Sequence, residues 1–291
     1  MRAVVLDADG LPELAELPDP PGPGVLVRVA ACGLCGSDVE KLGGARGGVV
    51  LGHEVAGVLE DGTRVTVMHR VPCGECGRCL AGHESTCDSF REVRIAPGGF
   101  AERLRATHVL PLPDTLADLD GVWVEPLACV LRAAESVPRG RVLVVGCGAV
   151  GQLWIQVLLA RGDEVRVVEP RRERLEQALA LGAADDGSEV DAAVLTAHAG
   201  LDDALHRLVG GGTVLVFAAP VDAVPVTLDV IYREELTVIG SRSASPSSFR
   251  AAVELLPSLR LPQVTALPLE RFVEGVELYR RGGALKIVFT P

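Results

Sequence analysis

The chain has 291 residues, 48% apolar and 23% charged. That suits one large or two medium globular domains with a sizeable core, and it excludes a disordered chain. A formal net charge of −11 excludes a general attraction to nucleic acid, so an anionic partner has to be held by local groups. No apolar run approaches the roughly 20 residues of a membrane span, and the opening MRAVVLDADG lacks the apolar core and cleavage site of a signal peptide. The expectation is a cytoplasmic protein with no membrane partner. Its eight cysteines then stay reduced and serve a metal or catalysis.

In chain order, MRAVVLD, GVLVRVAACG, EVAGVLEDG, GTRVTVMHR and FAERLRA are short apolar alternations that read as strands, with DPPGPG as a turn. This is the texture of an all-β barrel or sandwich. Helical spacing follows from about Val124 to Ser136. RVLVVGCGAVGQLWIQVLLARG is an apolar run, a glycine-rich turn and an apolar helix. EVRVVEP, RRERLEQALALGA, DAAVLTA, GTVLVFA and ELTVIGS continue a βα alternation, which implies a parallel sheet covered by helices. The tail after about Leu261, including ALKIVFTP, is strand-like again and is expected to return to the first domain. The fold class is thus α/β, with a β domain and a doubly wound domain.

The densest motif is CGECGRCLAGHESTC, which carries Cys73, Cys76, Cys79 and Cys87. By itself it admits disulfides, a redox centre, a nucleic-acid zinc module, an active site or a structural staple. Gly146-Cys147-Gly148-Ala149-Val150-Gly151 matches G-x-G-x-x-G between a predicted strand and a predicted helix. Gly146 makes the tight turn, Gly148 admits a pyrophosphate to the backbone, and Gly151 lets the helix pack on the strand. Glu169 ends the next strand, where a carboxylate accepts both ribose hydroxyls and repels a 2′-phosphate. That favours NAD over NADP, although Arg171 and Arg172 adjoin it. Cys32 and Cys35 form a C-x-x-C pair, His53 stands beside Glu54 in VLGHEVAG, and WVEPLACVL offers Glu125. Thiolate, imidazole and carboxylate together resemble a catalytic zinc site, which uses three protein ligands and keeps one position open.

CGLCGSD, LGHE, the four-cysteine lobe, EPLAC and GCGAVG occur in the order found in zinc-dependent medium-chain alcohol and polyol dehydrogenases, and the resemblance runs to YREELTVIGS and LKIVFTP. It implies a GroES-like β-barrel catalytic domain over 1–120 and 262–291, with a zinc lobe at about 71–90. A Rossmann domain would span 121–261, and the active site would lie in the cleft between them. Two zinc ions are implied. The catalytic one falls to Cys35, His53 and Glu125, with Glu54 able to bind or exchange, and Cys129 as a lesser candidate. The structural one falls to Cys73, Cys76, Cys79 and Cys87, a closed tetrahedral set. Asp38 then orients a ligand, Ser37 bonds the substrate oxygen and passes its proton outward, and Lys286 contacts the cofactor pyrophosphate. The implied reaction is hydride transfer between a small-molecule alcohol and NAD, with zinc as Lewis acid. EPLAC favours polyols and sugar alcohols, and relatives form homodimers or homotetramers.

The chain departs from the resemblance in length, with shorter loops around EVAGVLEDGTRVTVMHR and in the C-terminal third. Glu40 stands where many relatives carry a relay histidine. His69, His83, His108, His198 and His206 lack ligand spacing and are expected at the surface or in the core. Only His69, whose strand precedes the lobe, is a candidate for lining the cleft. A threonine-type amino-alcohol dehydrogenase is the alternative within enzymes. A non-catalytic protein that kept the fold is the alternative outside them, and the intact set Cys35, Ser37, Asp38, His53 and Glu125 speaks against it.

Overall fold

Period-two burial builds the first strands. The computed structural model describes residues 1–44, 47–90, 92–197, 199–218, 225–226 and 228–291; His198 lies outside them. The chain opens with β1 (Arg2–Leu6), β2 (Pro12–Glu16) and β3 (Val25–Gly33). In β3, Val27, Val29 and Ala31 turn inward while Arg28 stays exposed. There follow α1 (Gly36–Val39), β4 (Glu54–Val58), β5 (Arg64–Val67), α2 (Gly77–Leu80), β6 (Ile95–Ala96), β7 (Arg103–Ala106), β8 (Val109–Pro111) and α3 (Val124–Ala134). Then come β9 (Arg141–Val145), α4 (Ala149–Arg161), β10 (Glu164–Val168), α5 (Arg172–Leu181), β11 (Val190–Leu195), α6 (Leu201–Arg207), β12 (Leu208–Val216), α7 (Leu228–Arg233) and β13 (Thr237–Gly240). The chain continues through α8 (Pro246–Leu255), β14 (Val264–Pro268), α9 (Phe272–Arg280) and β15 (Lys286–Thr290).

Two compact units form: Met1–Ala128 with Ala244–Pro291, and Cys129–Ser243. In the first, strands run β14-β15-β3-β4-β5-β8, with β7 also against β3. All neighbours are antiparallel except β14 and β15. This curled half-barrel is the GroES-like part. Its core centres on Phe100, Phe272 and Phe289, with ring centroids 4.9, 5.5 and 4.7 Å apart. The β4–β5 connection is a tight turn closed by the Leu59 N–H on the Thr63 carbonyl at 2.9 Å, in keeping with the short loop expected there. The tail holds a helix as well as strands. Phe272 and Val276 lie at i, i+4 spacing on the buried face of α9. So short a stripe between charged residues is easily missed.

The second unit is a parallel sheet in the order β10-β9-β11-β12-β13, the Rossmann part. β9 and β11 are nearly continuous apolar runs because helices cover both faces. α4 buries Leu153, Trp154, Ile155, Val157 and Leu158 and ends at Gly162, whose left-handed φ of 88° turns the chain out of the helix. The strand order reverses about β9, from β10 on one side to β11 on the other. A crevice therefore opens at the carboxyl ends of these strands, where such sheets bind ligands.

Candidate active site

Three segments of the first unit bring their ends together. Cys35 follows β3 and is the N-cap of α1. Asp38 folds back from the first turn: its Oδ2 accepts the Cys35 N–H at 3.2 Å, and its Oδ1 accepts the Gly52 N–H at 3.4 Å. The same Oδ1 stands 3.3 Å from His53 Nδ1, and Asp38 is only 1% exposed. A carboxylate placed so fixes the imidazole, which also hydrogen-bonds the Cys35 side chain. Ser37 Oγ donates to Cys35 Sγ at 3.4 Å.

The electrostatics favour positive charge at this point. Burial alone would lower His53, but the Asp38 carboxylate and the Cys35 sulfur outweigh it and hold the imidazole well above its usual value. Burial pushes Asp38 up, and the charge and hydrogen bond of His53 reverse this to hold it below the usual carboxylate value.

Glu54 opens β4 opposite Gly33 of β3. Its Oε2 pairs with Nζ of Lys286, the first residue of β15, and both residues are buried. The ammonium also donates to the Leu34 carbonyl at 3.4 Å and lies 5.4 Å from the centroid of Trp123. A buried carboxylate and ammonium must pair, because removing one partner costs about 3–5 kcal/mol. Glycine at position 33 makes room for the pair: a Cβ there would strike the Glu54 carboxylate and stand 2.9 Å from Lys286 Cε. Sequence reading had no signal for this contact, since the partners are 232 positions apart. Tyr279 also escaped it; the phenol packs against Gly36, and burial, then Cys35, pushes it up.

Donor atoms of Cys35, His53 and Glu54 lie within 4.8 Å of one another. Thiolate, imidazole and carboxylate at that spacing, with Asp38 behind the imidazole, are a fit donor set for zinc. Glu125, in the first turn of α3, lies to one side. Its Oε1 is 4.0 Å from Nδ1 of His69, whose ring centroid is 4.7 Å from that of His53. Burial, then the charges of His53, Arg70 and Lys41, hold His69 well below the usual histidine value, so its ring is neutral. Its Nδ1 is buried with no hydrogen-bond partner among the described residues. Glu40 is exposed.

The cysteine quartet forms a separate lobe. Cys76 caps α2, Cys79 lies within it, and left-handed turns at Gly74 and Gly82, with φ of 78° and 80°, fold the segment on itself. The Sγ atoms of Cys73 and Cys79, Cys76 and Cys87, and Cys87 and Cys73 are 4.0, 3.9 and 3.5 Å apart. A tetrahedron with zinc–sulfur bonds of about 2.3 Å has edges of about 3.8 Å, so the four sulfurs fit one zinc. The Cys73 and Cys76 N–H groups donate to sulfur at 3.3 Å. Backbone N–H groups of Asp88 and Cys79 pull the Cys76 thiol down to about 6.

In the second unit, Gly146 turns with φ 92° between β9 and α4, and Gly148 is the N-cap of α4. A Cβ at Gly151 would strike the Gly146 carbonyl, so this helix start requires glycine. Val150 follows in the first turn. The Glu169 carboxylate reaches over the turn, accepting the Cys147 N–H at 2.8 Å and the Arg171 N–H at 2.9 Å.

Residues 21–114 match the alcohol dehydrogenase GroES-like domain. D-altritol 5-dehydrogenase of Agrobacterium fabrum is 33% identical, over 92% of this chain and 94% of its own. The chain belongs to the zinc-type medium-chain alcohol and polyol dehydrogenases. Sorbitol dehydrogenase of Halalkalibacterium halodurans is 28% identical over 100% and 99% of the two chains. The crystal structure of galactitol-1-phosphate dehydrogenase from Escherichia coli superposes with a TM-score of 0.86, at 26% identity and full coverage of both chains. This dehydrogenase is accordingly an enzyme of alcohol oxidoreduction, and small-molecule alcohols are its class of substrate. Among the described residues no helix is long and apolar enough to cross a membrane.

Proposed function

We propose that this dehydrogenase oxidises a secondary hydroxyl of a polyol or sugar alcohol with NAD and reduces the corresponding ketone, using two zinc ions. The observation that carries this reading is the Cys35–His53–Glu54 trio within 4.8 Å, with Asp38 behind the imidazole. Cys35, His53 and Glu54 would hold the catalytic zinc, and Glu125 is the next carboxylate at hand. The four cysteines of the lobe would hold the structural one. Bound there, zinc supplies Lewis acidity to the substrate oxygen.

The chain's own residues do the rest. Asp38 fixes the His53 ring. The Ser37 hydroxyl, next to Cys35, receives the substrate's hydroxyl proton and hands it outward. Lys286 anchors Glu54 beside the thiol and is the chain's candidate contact for the cofactor pyrophosphate. In the second unit, Gly148, Val150 and Gly151 present N–H groups to the pyrophosphate at the start of α4, and Gly146, whose own N–H is held by the Val168 carbonyl at 2.9 Å, makes the turn that lets it approach. Glu169 exchanges its backbone partners for the ribose hydroxyls, which selects NAD over NADP.

A cytoplasmic setting agrees with eight cysteines of which none is in a disulfide. A homodimer or homotetramer agrees with β13 as an exposed sheet edge. The test is a panel of pentitols, hexitols and simple alcohols followed by NADH absorbance, with metal analysis on the same protein. Two zinc per chain and polyol turnover with NAD are expected. One zinc or none, or turnover confined to primary alcohols or to NADP, overturns the reading.

A further inference from the structure

We infer that His69 is a substrate-recognition residue: it holds a second hydroxyl, on the carbon next to the one oxidised, so the site is built for vicinal diols rather than isolated hydroxyls. This rests on the proposed polyol oxidation and names what the substrate must carry.

Three observations converge on it. The His69 side chain is 16% exposed, and its Nδ1 is buried without a hydrogen-bond partner among the described residues. A buried polar nitrogen in that state carries a desolvation penalty that a bound ligand atom relieves. The ring stands 4.7 Å from that of His53, a member of the donor trio, so a molecule held at the trio has its next atoms beside His69. Finally, Nδ1 and Glu125 Oε1 are 4.0 Å apart, too far to bond each other. An oxygen about 2.8 Å from each completes a triangle on that base. A hydroxyl suits the place, since it donates to the carboxylate and accepts from the imidazole N–H. A phosphate or carboxylate does not, because Glu125 would repel it.

The test compares wild type, His69→Phe and His69→Asn. Each is assayed on the polyol turned over best and on its deoxy analogue lacking the neighbouring hydroxyl. Zinc content and melting temperature are measured on every preparation, and polyol binding to the NADH-bound protein is titrated by calorimetry. His69→Phe should lower kcat/KM for the polyol about tenfold more than for the deoxy analogue, mainly through KM. Polyol binding should weaken by a similar factor with both zinc ions retained. His69→Asn, whose amide reaches the place of Nδ1, should regain most of the loss.

Equal losses on both substrates, or unchanged polyol binding, would overturn the inference. So would a wild type that prefers an amine in place of that hydroxyl. Failure of both variants to fold would make His69 a packing residue and overturn it too. A wild type with no alcohol turnover refutes the proposed function instead, and calorimetry with the same polyols still reads His69.

Discussion

The cysteine lobe and the Cys35–His53–Glu54 site both gather zinc-type donors, but they are assembled differently. The lobe takes all four donors from one stretch, Cys73 to Cys87, and leaves three of them partly exposed. The other site draws on the end of β3, the start of β4 and, through Lys286, the start of β15. It buries Asp38, Glu54 and Lys286 around a half-open thiol. Four sulfurs at tetrahedral spacing close a site to substrate, whereas three mixed donors leave a position for it. On the proposed reading the first arrangement stabilises and the second reacts.

The sharpest way to break this contrast is to remove one thiol from each side. Cys35→Ala should lower turnover by about a thousandfold or more and zinc from two to one, with NAD binding kept and the melting temperature lowered by less than in the lobe variant Cys79→Ala. Turnover within tenfold of wild type would show that the reactive site lies elsewhere. Cys79→Ala should lower the melting temperature by about 10 °C while turnover per folded molecule stays within about threefold. If turnover vanished at unchanged stability, the two sites would have to exchange roles.

The buried pair sharpens the comparison next. Lys286→Met strands the Glu54 carboxylate and should cost about 3–5 kcal/mol in denaturant unfolding, and adding Glu54→Gln should recover most of it. Additive losses would mean that the pair is not coupled. In the second unit, Glu169→Ala should raise KM for NAD about tenfold and narrow the preference over NADP. An unchanged preference would remove Glu169 from cofactor selection.

The smallest effect concerns pH in chelator-treated protein. The His53 imidazole is raised above 6.5, so its stabilisation is full below that pH and is lost as pH rises through the raised value. The Asp38 carboxyl is lowered below 3.8, so its stabilisation is present above that pH and is lost as pH falls through the lowered value. The pair therefore helps zinc-free protein most between about pH 4 and 6.5. As pH rises through the raised His53 value, where zinc-free protein loses stability, zinc-loaded protein should instead gain it, because binding needs the neutral ring. Opposite slopes in the two melting-temperature profiles are expected, and Asp38→Asn should flatten the zinc-free one. Parallel slopes would separate His53 from the metal.

Legibility in the sequence followed the same division. The βα alternation, the glycine-rich turn and the cysteine quartet are local patterns: the first two became a parallel sheet and a strand–turn–helix, and the third gathers its four sulfurs in one lobe. Cys35, His53 and Glu54 were readable as motif fragments, because each sits beside a strand end next to a glycine or a second ligand type, and Asp38 follows three residues after Cys35 in the same fragment. What the sequence hid was made by pairing across the sheet. Gly33 is small because Glu54 and Lys286 meet there, and that meeting depends on β15 lying beside β3. The likeness of Glu54 and Glu125 as carboxylates said nothing of their distances; only the fold puts Glu54 in the trio and Glu125 beside His69.

The separation of Glu54 and Lys286 also bears on how the chain is made. Glu54 leaves the ribosome early, and Lys286 follows 232 positions later, after the whole parallel-sheet unit. At 5–20 residues per second the interval is roughly 10–50 s. Through that time Cys32 and Gly33 at the end of β3 lack their β15 neighbour, while the carboxylate waits without its ammonium. The unit that starts first is finished last, so the half-barrel stays incomplete until β15 is made, after the unit inserted within it.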